Sequence, residues 1–207
     1  MLENGGFFAG KRVLVTGHTG FKGSWLSLWL HDLGARVIGL ALPPEKGPSL
    51  YRALGLDSLI DSRVVDIQDA ARTRRAILTA RPQIVFHLAA QSLVRRSYRE
   101  PGRTFATNVL GTLNVIQAAA GAGARVVVCA TTDKCYEHPE SGRAFVETDP
   151  LGGHDPYSAS KACAEIVAAS VRDSFLRGTR TSLSTVRAGN VIGGGDWAED
   201  RLLPDCV

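Results

Sequence analysis

Cysteine is sparse and unpatterned in this chain. The four thiols, Cys129, Cys135, Cys163 and Cys206, make no C-x-x-C pair and no metal-ligand spacing. A disulfide scaffold and a metal site are not expected, and free thiols point to a reducing, cytoplasmic compartment. Long apolar runs are missing too: none approaches the roughly 18 residues that a membrane span needs. No basic segment followed by an apolar core opens the chain, so no secretory signal is expected. Internal repeats and low-complexity tracts are absent. Basic blocks are absent as well, since 24 Lys and Arg against 20 Asp and Glu leave a net charge of only +4. The arginines gather locally, at Arg95, Arg96, Arg99 and Arg103. That pattern suits anionic small molecules or a solvated face, not nucleic acid.

What is present begins with 44% apolar and 21% charged residues among 207, enough for one soluble domain, or one plus a fragment of a second. The chain is organised around Arg12–Gly23, RVLVTGHTGFKG. Val13-Leu14-Val15 has the composition of a strand buried on both faces. Gly17, Gly20 and Gly23 follow at three-residue spacing. Then comes Ser24–Leu33, whose Trp25, Leu26, Trp29, Leu30 and Leu33 fall on one helical face. Strand, glycine turn and helix make a phosphate cradle: amides at a helix start face an anion, and glycines let a pyrophosphate approach. The candidate cofactor residues here are Gly17, His18, Thr19, Gly20, Phe21, Lys22 and Gly23. Lys22 is read as a phosphate contact and His18 as a ligand-lining group; the alternative for both is a solvated loop side chain.

Further strands are predicted at Arg36–Leu42, Arg63–Ile67, Ile84–Leu88, Val126–Ala130 and Ser182–Arg187. Helices are predicted at Ala70–Thr79, Pro101–Ala120 and Tyr157–Phe175. The alternation predicts an α/β fold, a doubly wound parallel sheet with helices on both faces. Ligands in such sheets bind beyond the carboxyl ends of the strands. No acid ends the second strand, where NAD enzymes often hold the ribose, and no Arg follows to grip a 2′-phosphate, so NAD is favoured over NADP. Asp66-Ile67 ends the third strand and Ala89-Ala90-Gln91 follows the fourth, after Leu88. Asp69 fits the N-cap of the next helix better than Asp66 does. Asn108 lies inside the long helix, where burial demands that it be bonded. Thr131–Pro156 has the length of a functional loop.

Tyr157 and Lys161 stand one helical turn apart. A nearby ammonium favours the phenolate, and a Tyr base beside a hydride acceptor is what alcohol oxidation needs. Thr132-Asp133-Lys134 follows the fifth strand. A hydroxyl there binds the reacting oxygen. The adjacent carboxyl and amine are not needed for simple dehydrogenation, and suggest a second proton-transfer step such as loss of water. Their alternative is a surface ion pair.

The blocks VTGHTGFKGSWLSLWL, VFHLAAQSLVRRSY, ATTDKCYEH, LGGHDPYSASKACAE and RAGNVIGGGDWAEDRLLPD resemble the CDP-glucose 4,6-dehydratases, within the extended short-chain dehydrogenase/reductase superfamily. The resemblance runs over nearly the whole chain. It implies a Rossmann sheet, a retained NAD and a CDP-glucose substrate converted to CDP-4-keto-6-deoxyglucose. Tyr157, Lys161 and Thr132 would serve C4 oxidation, Lys134 would take the C5 proton and Asp133 would protonate the departing C6 hydroxyl. Asp66, Ile67, Leu88, Ala89, Ala90, Gln91 and Asn108 would join the glycine turn, Tyr157 and Lys161 around NAD, with Asp66 on the adenine amino group. Asn190 would meet the substrate diphosphate. Asp196, Trp197 and Arg201 would lie near the sugar nucleotide, or serve as loop scaffolding. A homodimer is implied through helices 101–120 and 157–175, with Ala118-Ala119-Ala120, Ala162, Ala164 and Ala168 permitting close packing. A role in deoxysugars of lipopolysaccharide O-antigen is implied as well. Family members continue past Val207, so 1–188 is expected to be the NAD-binding domain with the catalytic residues, and 189–207 the beginning of a truncated substrate-binding region. Two other readings stand beside this one: a non-catalytic NAD-binding fragment, and another nucleotide-sugar epimerase, dehydratase or reductase of the superfamily.

Overall fold

The structure is a computed structural model that describes residues 5–137, 142–200 and 205–206. In chain order it runs α1 (Gly5–Phe8), β1 (Arg12–Thr16), α2 (Phe21–Asp32), β2 (Arg36–Ala41), α3 (Leu50–Ala53), α4 (Leu56–Leu59) and β3 (Asp61–Val64). It continues through α5 (Ala70–Ala80), β4 (Ile84–His87), α6 (Val94–Arg99), α7 (Pro101–Phe105), α8 (Thr112–Gly121), β5 (Val126–Ala130), α9 (Pro156–Val171) and β6 (Ser182–Val186). The strands lie in the order β3-β2-β1-β4-β5-β6, every neighbouring pair parallel. This is the doubly wound order, and its direction reverses between β1 and β4.

Period-two alternation makes the central strands apolar on both faces. Val13 and Val15 of β1 go to one side with Leu30 of α2, while Leu14 goes to the other with Ile77 of α5 and Val115 and Ile116 of α8. All of these side chains are fully buried. Each contributes roughly 1.5–3 kcal/mol relative to exposure.

Three expectations are corrected by packing. In α2 the buried face is Gly23, Ser24, Ser27 and Leu30, whereas Trp25 and Trp29 are 45% and 56% exposed. Small residues let this helix lie close to the sheet, and indoles do not fit there. The third strand is Asp61–Val64 instead of Arg63–Ile67, because it pairs in register with Ile38–Ala41 and β2 ends at Ala41. An edge strand is held by its backbone, so its side chains stay polar. The helix expected at 101–120 is interrupted by a π-helical turn at Ala106–Gly111. That turn carries Asn108, and such turns are frequent at functional sites. The other elements fall within a few residues of their expected limits.

Candidate active site

The carboxyl ends of β1, β4, β5 and β6 bring the predicted residues to one edge of the sheet. Gly17 has φ +75°, and a Cβ there would come within 2.8 Å of Ala89 N. A Cβ on Gly23 would sit 2.0 Å from Gly17 O. The turn therefore touches both its own helix and the segment after β4, and only glycine permits this. The start of α2, at Phe21 after its N-cap Gly20, carries no side-chain cap. Lys22 lies near enough to Lys161 for the two charges to repel.

Several predicted cofactor residues turn inward instead. His18 is buried, bonded through Nε2 to Ser62 Oγ at 2.7 Å. Its ring occupies the space above Gly39, where a Cβ would meet His18 Cγ at 2.4 Å. It supports the turn from beneath and does not line the cleft. Thr19 Oγ1 donates to Leu42 O. The Ile67 side chain belongs to the core and packs on Gly111. Asp66 Oδ1 accepts from Gln68 N, while Asp69 caps α5 as expected. Asn108 is a brace: Oδ1 accepts from Gln91 N at 2.8 Å, and Nδ2 donates to Gln91 O at 3.0 Å and Ser160 Oγ at 2.8 Å. The Gln91 side chain is likewise committed, to Leu93 and Thr104. Leu88 and Ala89 present their amides to Thr16 Oγ1, both at 3.1 Å; Ala90 follows in the same segment.

The chemistry gathers at the start of α9. Asp155 caps it and Pro156 occupies its first turn, which sets Tyr157 at the mouth of the helix. Tyr157 and Lys161 are both buried. Lys161 Nζ donates to Ala130 O at 2.9 Å, just where β5 ends. Burial, and then the Lys22 charge, push its ammonium down to about 8. Thr132 caps the one-turn 3₁₀ segment Asp133–Cys135, and its hydroxyl donates to Asp133 Oδ1 at 3.0 Å. Asp133 N donates to Ala188 O, and Gly189 lies against the carboxylate, so the exit of β6 shapes this pocket. Lys134 is half-buried beside it.

The glycine-rich loop after β6 crosses the front of the turn. Trp25 Nε1 donates to Gly194 O at 2.9 Å, and Gly193 and Gly195 lie close on Phe21 and Leu50. Asn190 is exposed, Asp196 half-buried and Trp197 50% exposed on this loop; Arg201 lies outside the described residues.

Sequence reasoning passed over Glu165. It sits one turn beyond Lys161 on α9, buried, and accepts from Thr185 Oγ1 at 2.8 Å and Arg187 Nη2 at 3.0 Å, and from Thr131. Burial opposes its ionisation, but the bonds from Arg187, Thr131 and Thr185 outweigh that and hold the carboxyl below its usual range. The i, i+4, i+8 repeat of Tyr157, Lys161 and Glu165 was the available signal.

The family model described as NAD dependent epimerase/dehydratase matches residues 13–206. The chain belongs to this family. It is 51% identical to a CDP-glucose 4,6-dehydratase of Salmonella typhimurium, over 97% of this chain and 58% of that protein. It is 34% identical to a UDP-glucose 4-epimerase of Mycolicibacterium smegmatis, over 75% of this chain and 49% of that protein. Among solved structures, a dTDP-glucose 4,6-dehydratase double mutant of Streptomyces venezuelae, with NAD bound, superposes with TM-score 0.76 and 30% identity, covering 93% of this chain and 60% of that one. The epimerase Mth375 of Methanothermobacter thermautotrophicus superposes with TM-score 0.83 and 26% identity, covering 99% and 59%. The chain thus spans a little under three-fifths of the length of its dehydratase relative.

Proposed function

We propose that this member of the family binds NAD and dehydrates CDP-glucose to CDP-4-keto-6-deoxyglucose, with residues 1–188 carrying cofactor and chemistry and 189–207 beginning the substrate-binding region. The observation that carries the reading is that the one-turn segment Asp133–Cys135 packs on α9, the helix of Tyr157 and Lys161, with Lys161 bonded to the end of β5 and Lys22 of the glycine turn close to it. An epimerase or reductase has no use for an acid and an amine at that place. The glycine turn, too close to Ala89 at Gly17 and to its own backbone at Gly23 for a Cβ at either place, suits a dinucleotide pyrophosphate.

Bound NAD would supply a reversible hydride acceptor, taking hydride from C4 and returning it to C6. Tyr157 takes the C4 hydroxyl proton, its phenolate favoured by the Lys161 charge. The resulting 4-keto group acidifies the C5 proton, which Lys134 takes as a neutral amine and later returns. Asp133, in its acid form and oriented by the Thr132 hydroxyl, protonates the C6 oxygen, which leaves as water. The proton gained at Tyr157 balances the one lost at Asp133. Gly17, Gly20, Gly23, Phe21, Lys22 and Ala89 are assigned to the cofactor, and Asn190, Asp196, Trp197 and Arg201 to the sugar nucleotide.

The exposed Phe105, Leu110, Ile166 and Phe175 favour a homodimer through the helices at 101–120 and 157–175. The alanines that suggested this packing do not serve it. Ala118, Ala119, Ala162, Ala164 and Ala168 are buried within the chain's own core. A cytoplasmic place and a role in O-antigen deoxysugars accompany this reading.

Purified protein given NAD and CDP-, UDP-, dTDP- or GDP-sugars tests it. The alkaline absorbance of a 4-keto product from CDP-glucose alone is expected. Turnover of another nucleotide sugar, or NAD binding with no product from any, overturns the substrate assignment.

A further inference from the structure

We propose that His87, a neutral imidazole with its proton on Nε2, is a positioning residue that registers the cofactor-facing segment Leu88–Gln91 against both the glycine turn and the catalytic helix. The inference rests on reading this edge of the sheet as a dinucleotide site.

The proton count leaves one arrangement. Thr16 Oγ1 accepts from Ala89 N and from Leu88 N, each at 3.1 Å, the Leu88 amide being shared with Thr16 O at 3.2 Å, so two amides already point at this oxygen. Its own proton is left for His87 Nδ1, 2.7 Å away. On the other side of the ring, Thr112 Oγ1 donates to Asn108 O at 2.7 Å. The Thr112 oxygen is then the acceptor for His87 Nε2, at 2.9 Å. A proton on Nδ1 would face a Thr16 oxygen at which two amides are already aimed.

The chain of bonds does not stop there. Asn108 holds Gln91 at both backbone groups and donates to Ser160 Oγ. Ser160 Oγ donates to Tyr157 O at 2.7 Å. A continuous path therefore runs from Thr16, through His87, Thr112, Asn108 and Ser160, to the backbone of Tyr157. Because Gly17 lies in contact with Ala89 N, a displacement of the segment after β4 is also felt by the turn. His87 is the last residue of β4 and nearly inaccessible, so it acts through these partners and touches no ligand. Burial and the Lys161 charge both oppose a second proton on the ring, pushing it down to about 3.

Nitrogen-15 NMR of the imidazoles is expected to show His87 as the neutral Nε2–H tautomer down to pH 5. An Nδ1–H tautomer, or titration near 6.5, overturns the proposal. Amide exchange of the ligand-free protein reads the positioning itself. In His87→Phe, exchange at Ala89 and Gln91 is expected to quicken about tenfold, the worth of one buried hydrogen bond, while Val13–Val15 stay protected. His87→Asn places an amide oxygen near the Nδ1 position, and should restore protection at Ala89. A parallel rise of about tenfold in the NAD dissociation constant of His87→Phe is expected. Uniform quickening across β1 and β4, or unchanged exchange at Ala89, overturns the proposal. If the wild type binds no NAD, the dinucleotide reading fails, and the tautomer and exchange data still decide the role of His87.

Discussion

Lys161 is a cation held where cations are disfavoured. Its folded value of about 8 lies below the 10.5 of an unperturbed lysine. Between those limits the unfolded chain binds more protons than the folded one, so stability from this group rises with pH across the window. The unfolding free energy of the wild type, relative to Lys161→Met, is expected to climb by about 3 kcal/mol from pH 8 to 10.5. Urea titrations of both proteins check this, and a flat difference would contradict the burial of the ammonium. Lys134 makes the complementary case. In Lys134→Met, CDP-glucose should still reduce bound NAD, seen as NADH absorbance, while the 4-keto-6-deoxy product falls by about 10²-fold or more. Retained elimination would remove Lys134 from its role. Both lysines were legible in the sequence because helical spacing and a strand end locate them. His18 was not: nothing in TGHTGFKG tells that Gly39, on a different strand, leaves room for its ring.

At the scale of elements, the glycine turn and α9 do different work. Gly23→Ala puts a methyl group 2.0 Å from Gly17 O, so turn and helix must part. Loss of NAD binding with a lowered melting temperature is expected, measurable by calorimetry; normal affinity would show that the cradle tolerates reshaping. On α9, Glu165 ties β5 and β6 to the helix. Glu165→Ala leaves the half-buried Arg187 charge without its carboxylate partner, and a loss of about 2 kcal/mol in denaturant unfolding is expected. Here the sequence misled in one respect. The apolar periodicity of Ser24–Leu33 picked out the indoles, but closeness to the sheet selects small side chains, and the indoles face outward. The π-helical turn carrying Asn108 was likewise invisible, since its extra residue leaves no mark on the pattern of apolar side chains.

For the whole molecule, acid should be the weak side. His18 and His87 are lowered by burial to about 4 and about 3. Below 6.5 the unfolded chain binds more protons at both, so their contribution fades as pH falls from 6.5 towards these values. Melting temperatures are expected to drop between pH 6.5 and 4, and His18→Gln should move part of that loss away. Assembly is the second property at this scale. Leu110→Asp with Ile166→Asp places charge on the exposed apolar faces of the two helices. Sedimentation is expected to show a dimer for the wild type and a monomer for this variant; a dimer in both would place the interface elsewhere.

The sequence by itself determined the parallel doubly wound sheet, the glycine cradle and the Tyr157–Lys161 pair. Each is written in local spacing, as period two in strands, three-residue glycine steps, or one helical turn. Tertiary structure alone decided which of the remaining polar residues face the cleft. His18, Asn108 and Gln91 turn inward and His87 and Glu165 become hubs, because buried donors and acceptors must be matched by partners that lie 17 to 71 residues away along the chain.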